Sequence, residues 1–153
     1  MTDKRRKPQK FVPNSYARSD DWAISRVKAF LTAKGYVINE KKFEDFDIDI
    51  TAVKDGKVES FEVETKTGYS FSDEATFPFE TVSFLARKKK WASYGFWYVI
   101  VCRETLAFLM CNSKDIYQKK YLEILNIDSA ERKGRDYFYR VPKNKCHWYK
   151  LNE

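Results

Sequence analysis

Asp47, Asp49, Glu62, Glu64 and Lys66 stand at two-residue spacing on either side of one tight turn, within Phe43 to Gly68. Phe46-Asp47-Ile48-Asp49-Ile50 alternates apolar with acidic residues, the period of a half-buried strand. Lys54-Asp55-Gly56-Lys57 follows, with Asp-Gly supplying the positive φ that a hairpin turn needs. In the return run Phe61, Val63 and Thr65 share one face, and Glu62, Glu64 and Lys66 share the other. Carboxylates gathered on one face of neighbouring strands repel one another, and a single lysine is a small counterweight. A divalent cation would neutralise such a patch. Oxygen donors with no His or Cys nearby suit magnesium or manganese better than zinc.

The plain alternative is a hairpin whose polar face is wet. Acid-x-Lys triplets are common, and the chain has three others: Glu40/Lys42, Asp55/Lys57 and Glu131/Lys133. Only Glu64/Lys66 lies in a strand pattern preceded by a turn and a second acidic strand.

An Asp on one strand, a hairpin, then Glu-x-Lys on the next resembles the PD-(D/E)xK nuclease superfamily, which includes restriction enzymes, Holliday-junction resolvases and some homing endonucleases. The resemblance spans Asp20 to Tyr117, with Glu64-Thr65-Lys66 on the motif and Asp49, or else Asp47, as the upstream acid. No proline precedes either aspartate, and Glu62 is an additional acid beside the motif. The resemblance implies an α/β fold with a mixed central sheet flanked by helices. It implies Mg2+-dependent hydrolysis of DNA phosphodiester bonds, with Mn2+ as a substitute. The ions would lie between Asp49 or Asp47, Glu64 and the backbone carbonyl of Thr65, with Lys66 orienting water or steadying phosphate charge. A first helix in this family often adds an acid, for which Asp21 is the candidate and Asp20 the lesser one. Cutting both strands implies a homodimer or larger homo-oligomer.

The rest of the chain must position these groups. Ser19-Asp20-Asp21 reads as the N-cap of a helix reaching Lys34, with Trp22, Ile24, Val27, Phe30 and Leu31 on its apolar face and Gly35 as its stop. Tyr36 to Ile38 begins a strand, and the polar stretch Tyr69 to Pro78 reads as a substrate-facing loop. Phe79 to Phe84 reads as a strand running into a basic helix. Gly95 to Cys102 is an apolar run suited to a central strand, and Leu106 to Cys111 to the next. A helix is expected over Asp115 to Leu125, a charged loop over Asp128 to Arg135, and two strands around Pro142.

With 153 residues, 43% of them hydrophobic, the chain is one domain with a full core. Residues 1–14 read as a flexible basic arm and 15–153 as the domain. The net charge of +7 points to a polyanion. Arg87, Lys88, Lys89 and Lys90 form the densest cationic cluster of the folded part, and Lys4, Arg5 and Arg6 that of the arm, as candidate phosphate contacts. The interleaved aromatics and cations after Tyr137 suit either exposed bases or a sheet edge. Cys102 and Cys111 read as core thiols, and the single histidine, His147, as packed beside Trp148 and Tyr149. An odd cysteine count and the absence of a spanning apolar run or export signal lead us to expect a cytoplasmic protein away from membranes. No phosphate-binding glycine loop occurs. A nucleic-acid-binding module without cleavage, or a basic protein that binds another protein, are the rival functions.

Overall fold

A computed structural model describes residues 13–40, 48–128 and 133–150. The chain runs α1 (Pro13–Ala33), β1 (Val37–Ile38), β2 (Ile50–Lys54), β3 (Lys57–Lys66), β4 (Thr81–Leu85), β5 (Trp97–Cys102), β6 (Ala107–Asn112), α2 (Ser113–Ile116), β7 (Leu122–Asp128), β8 (Lys133–Pro142) and β9 (His147–Lys150). Six strands form a mixed sheet in the order β9-β6-β5-β3-β2-β1. Among the described residues its only parallel pair is β3 with β5, in the register Glu62 to Tyr98 and Glu64 to Ile100. A separate antiparallel sheet has the order β4-β8-β7. The protein is therefore α/β with a large mixed sheet and few helices.

The β2–β3 hairpin forms where the Asp-Gly pair requires it. Lys54 faces Lys57 in register, and both turn residues have positive φ, 53° at Asp55 and 75° at Gly56. The expected split of β3 follows from its pleat. Phe61 and Val63 are buried on the face covered by α1, together with Ile50, Val99, Val101, Phe108 and Met110. Helix α1 contributes Ala23, Val27, Phe30 and Leu31, the i, i+4, i+7, i+8 stripe of a packed helix. Phe30 meets Phe108 edge to face at 4.8 Å. The helix stops in a Schellman turn: Tyr36 N–H donates to Leu31 O and Gly35 N–H to Thr32 O, with Gly35 at φ 97°.

On the other face, Tyr98, Ile100, Cys102, Leu109 and Cys111 pack against Val82 and Phe84 of β4 and Tyr139 and Val141 of β8. Cys102, Cys111 and Cys146 are all free and buried. Here a small sheet, not a helix, covers the central strands. The connection between the parallel strands carries β4 and a 3-10 turn over Ala86–Trp91 in place of the expected basic helix.

Other expectations change as well. Helix α1 begins at Pro13, so Ser19, Asp20 and Asp21 lie inside it, and its start falls within the stretch read as an arm. Pro at the first helical position needs no N–H partner, which makes it a good initiator. Between Asp115 and Leu125 the backbone is α2, a 3-10 turn at Lys119–Tyr121 and the beginning of β7, because pairing with β8 outweighs the local helical pattern. Lys133 to Arg135 belong to β8 and not to a loop. Strand β2 starts at Ile50, so Asp49 lies in the bend before it, while Asp47 falls outside the described residues. No helix among the described residues is long and apolar enough to cross a membrane.

Candidate active site

The geometry of the acidic patch follows from where β2 begins. Asp49 lies just ahead of the strand, opposite the middle of β3, and is tied to it twice. Its backbone N–H donates to Glu62 Oε2 at 2.9 Å, and its Oδ2 accepts the Val63 N–H at 2.8 Å. These two bonds fix the Asp49 carboxylate at the peptide between Glu62 and Glu64. Partial burial, and next the negative charge of Glu62, push its pKa up to about 6; the Val63 N–H and Lys88 pull the other way. Asp49 thus carries more negative surroundings than it can comfortably ionise in.

Glu62 is the most enclosed acid among the described residues, its side chain 6% exposed, and Lys88 Nζ reaches it at 2.9 Å from the 3-10 turn after β4. Lys88 also lies 5.6 Å over the Tyr98 ring. It therefore belongs to the acidic site, while Arg87, Lys89 and Lys90 of the same cluster are exposed. Lys89 stands 6.0 Å from the Tyr139 ring.

Glu64 and Lys66 project from the same face of β3 toward its C-terminal end. Lys66 Nζ is 2.7 Å from Glu64 Oε2, with both side chains partly open to solvent. The other Glu64 oxygen accepts the Tyr98 hydroxyl at 2.5 Å. Burial and the Glu64 carboxylate hold the Tyr98 hydroxyl well above its usual range, so it remains a donor. Tyr69, pushed up to about 12 by burial and then by Glu64, also stays neutral. Thr65, between the motif residues, pairs in register with Val101.

The structure thus links Asp49, Glu62 and Lys88 in one group and Glu64, Lys66 and Tyr98 in another, with Lys88 over the Tyr98 ring between them. Asp21 is an exposed residue of α1 and makes no described contact with them. Asp47, Lys4, Arg5 and Arg6 lie outside the described residues. His147 is exposed, its ring 5.7 Å from that of Trp97, and makes no described contact with these acids. Sequence reasoning missed Tyr98. Its signal was a hydroxyl-bearing ring two residues before Ile100 in an otherwise apolar, largely buried strand.

Among the described residues no three His, Cys, Asp or Glu side chains gather into a complete metal cage. The donor chemistry nevertheless suits a hard cation. Magnesium keeps several waters and is commonly held by one or two carboxylates together with substrate phosphate oxygens. Asp49 and Glu64 are the carboxylates that could offer such oxygens, Glu64 only by exchanging its contact with Lys66 or Tyr98. Beyond Lys66 a pocket of about 220 Å³ opens, lined by Lys66, Tyr69, Phe77, Phe79, Thr81, Ser83 and Arg140. The polar-looking stretch from Tyr69 to Pro78 forms part of its wall and anchors itself through buried Phe71 and Phe77.

No protein-family model matches the chain, and no curated protein is significantly similar to it.

Proposed function

We propose that the protein is a metal-dependent endonuclease of the PD-(D/E)xK kind, hydrolysing phosphodiester bonds in DNA at Asp49, Glu64 and Lys66. One observation carries the reading. The Glu64–Lys66 pair, 2.7 Å apart on one strand face, stands beside an aspartate that the neighbouring peptide holds in place. A hairpin with a merely wet face has no need to fix an aspartate against a buried glutamate, at the cost of raising its pKa. The mixed central sheet with a helix on one face supports the same reading.

Asp49 and Glu64 would hold the ion, with Asp47 as a further donor candidate. When bound, Mg2+ supplies Lewis-acid polarisation of the phosphate and lowers the pKa of a coordinated water. The chain's own groups do the rest. Tyr98 donates to one oxygen of Glu64 and leaves the other directed at Lys66 and the substrate side. Lys66, released from Glu64 as a phosphate arrives, donates its ammonium protons to a nonbridging oxygen where negative charge grows. Lys88 neutralises Glu62, so that the second glutamate does not repel the phosphate. Arg87, Lys89 and Lys90 offer positive charge to the flanking backbone.

Thermal unfolding with and without Mg2+ or Mn2+ tests the metal site. An ion present at about a hundred times its dissociation constant stabilises the native state by about 2.7 kcal/mol, which for this size is a rise of several degrees. The account expects that rise in the wild-type protein and its loss in Glu64→Ala. A melting temperature insensitive to either ion would count against the assignment.

A further inference from the structure

Apart from Lys66, the lining of the pocket beyond it is not used by the chemistry just described, and its composition differs from that of the acidic patch. Three of its walls are aromatic. Tyr69 meets Phe77 and Phe79 edge to face, both at 5.3 Å, and Phe77 meets Phe79 at 5.9 Å. Phe77 is buried, whereas Phe79 is 52% exposed, so a large apolar ring is held at the rim by two others. Opposite stand hydrogen-bonding groups. Thr81 and Ser83 bring hydroxyls from β4, and Ser83 faces Arg140 directly across the β4–β8 ladder. Arg140 has Glu123 at 3.5 Å, yet its buried Nε makes no hydrogen bond.

A volume of about 220 Å³ lies below the roughly 300–1,000 Å³ that houses a drug-sized molecule. It suits one flat ring system. Aromatic faces stack on any nucleobase, and hydroxyl and guanidinium groups pair with base edges. Lys66 and Arg140 each face a carboxylate, Glu64 and Glu123, so the pocket is balanced in charge, as suits an uncharged base. A base still stacked in a duplex cannot enter, because its faces are covered by its neighbours; it must first leave the stack.

We propose that this pocket receives a single unpaired nucleobase next to the scissile phosphate, with Phe79 as its stacking platform. The preferred substrate is then DNA that is single-stranded, bulged or branched at the cut, and not a continuous duplex. The inference rests on the assignment of Lys66 to a nuclease site.

The test is equilibrium binding by fluorescence anisotropy, in EDTA so that nothing is cut. Three duplexes with the same base pairs are compared: a perfect duplex, the same duplex with one extra bulged nucleotide, and that bulge as an abasic site. The wild-type protein is expected to bind the bulge about tenfold or more tightly than the abasic version, within the range of one base–aromatic stack. Phe79→Ala should bring that ratio close to one, and Phe79→Trp should restore it. Equal binding of the base-bearing and abasic bulges overturns the proposal, as does a ratio unchanged by Phe79→Ala. Cleavage of the same oligonucleotides with Mn2+ separates the two assignments. A preference for the base without any cutting removes the nuclease reading and leaves the pocket standing. Cutting without a preference does the reverse.

Discussion

Replacing Asp49 by asparagine keeps an acceptor for the Val63 N–H and removes the charge that burial and Glu62 disfavour. Its native pKa of about 6 lies above the ordinary 3.8, so the folded state holds the proton more tightly than the unfolded chain. Stability therefore falls as pH rises through that window, and above about pH 6 the full penalty is present. Asp49→Asn should raise stability at pH 7.5 by about 1–3 kcal/mol and flatten the profile between pH 4 and 6, as read by urea unfolding. It should abolish cleavage at the same time, the trade-off expected of a site that stores like charge for a cation. Lys88 gives the opposite sign. Lys88→Met leaves Glu62 enclosed and unpaired, and should cost about 2–4 kcal/mol, much of it recovered by adding Glu62→Gln. Glu62, Glu64 and Lys66 were legible because a pleated strand sorts neighbours by parity, whereas Asp49 sits in a bend where that rule does not apply. Lys88's partner was not, since only the path of the turn after β4 brings it back over β3, 26 residues away in sequence.

Elements position these groups through contacts that local pattern reads unevenly. The β2–β3 turn was plain in the sequence, because Asp-Gly between alternating runs has one low-cost geometry. Buried β5 was equally plain from its continuous apolar run, and α1 from its stripe, although its start lay six residues before the expected cap. The first half of β7, Leu122 to Leu125, was misread as helix: Ile116, Tyr117, Tyr121 and Leu125 have helical spacing, but the helix ends at Ile116 and the ladder with β8 takes the rest. The covering of the central sheet by a second sheet is likewise a tertiary fact with no local signature. Helix α1 backs the strand that bears Glu64, so its packing should matter to the site. Phe30→Ala, which removes a ring against Phe108 and Tyr149, should destabilise the protein by about 3–5 kcal/mol while leaving the cleavage chemistry of the remaining folded fraction intact. Chemical unfolding alongside activity per folded molecule would check both halves.

At the scale of the whole molecule, a chain of net charge +7 carries Asp49, Glu62 and Glu64 close together on one hairpin within an otherwise basic balance. Such a surface should bind DNA with an affinity that falls steeply with salt, each phosphate contact adding about 0.9 to the slope of log K against log salt. Arg87→Glu with Lys89→Glu should reduce that slope without lowering stability, because both side chains are exposed. The central claim, that Glu64 and Lys66 form a metal-dependent nuclease centre, is tested most directly by cleavage. Supercoiled plasmid and a four-way branched DNA would be incubated with Mg2+, Mn2+ or EDTA, using wild-type, Glu64→Gln and Lys66→Ala proteins. The account predicts metal-dependent cutting of at least the branched DNA, lost by a hundredfold or more in both variants, on the order of a removed charge-stabilising group. Cutting that persists in EDTA or in Lys66→Ala, or no cutting of either DNA by the wild-type protein, would contradict it.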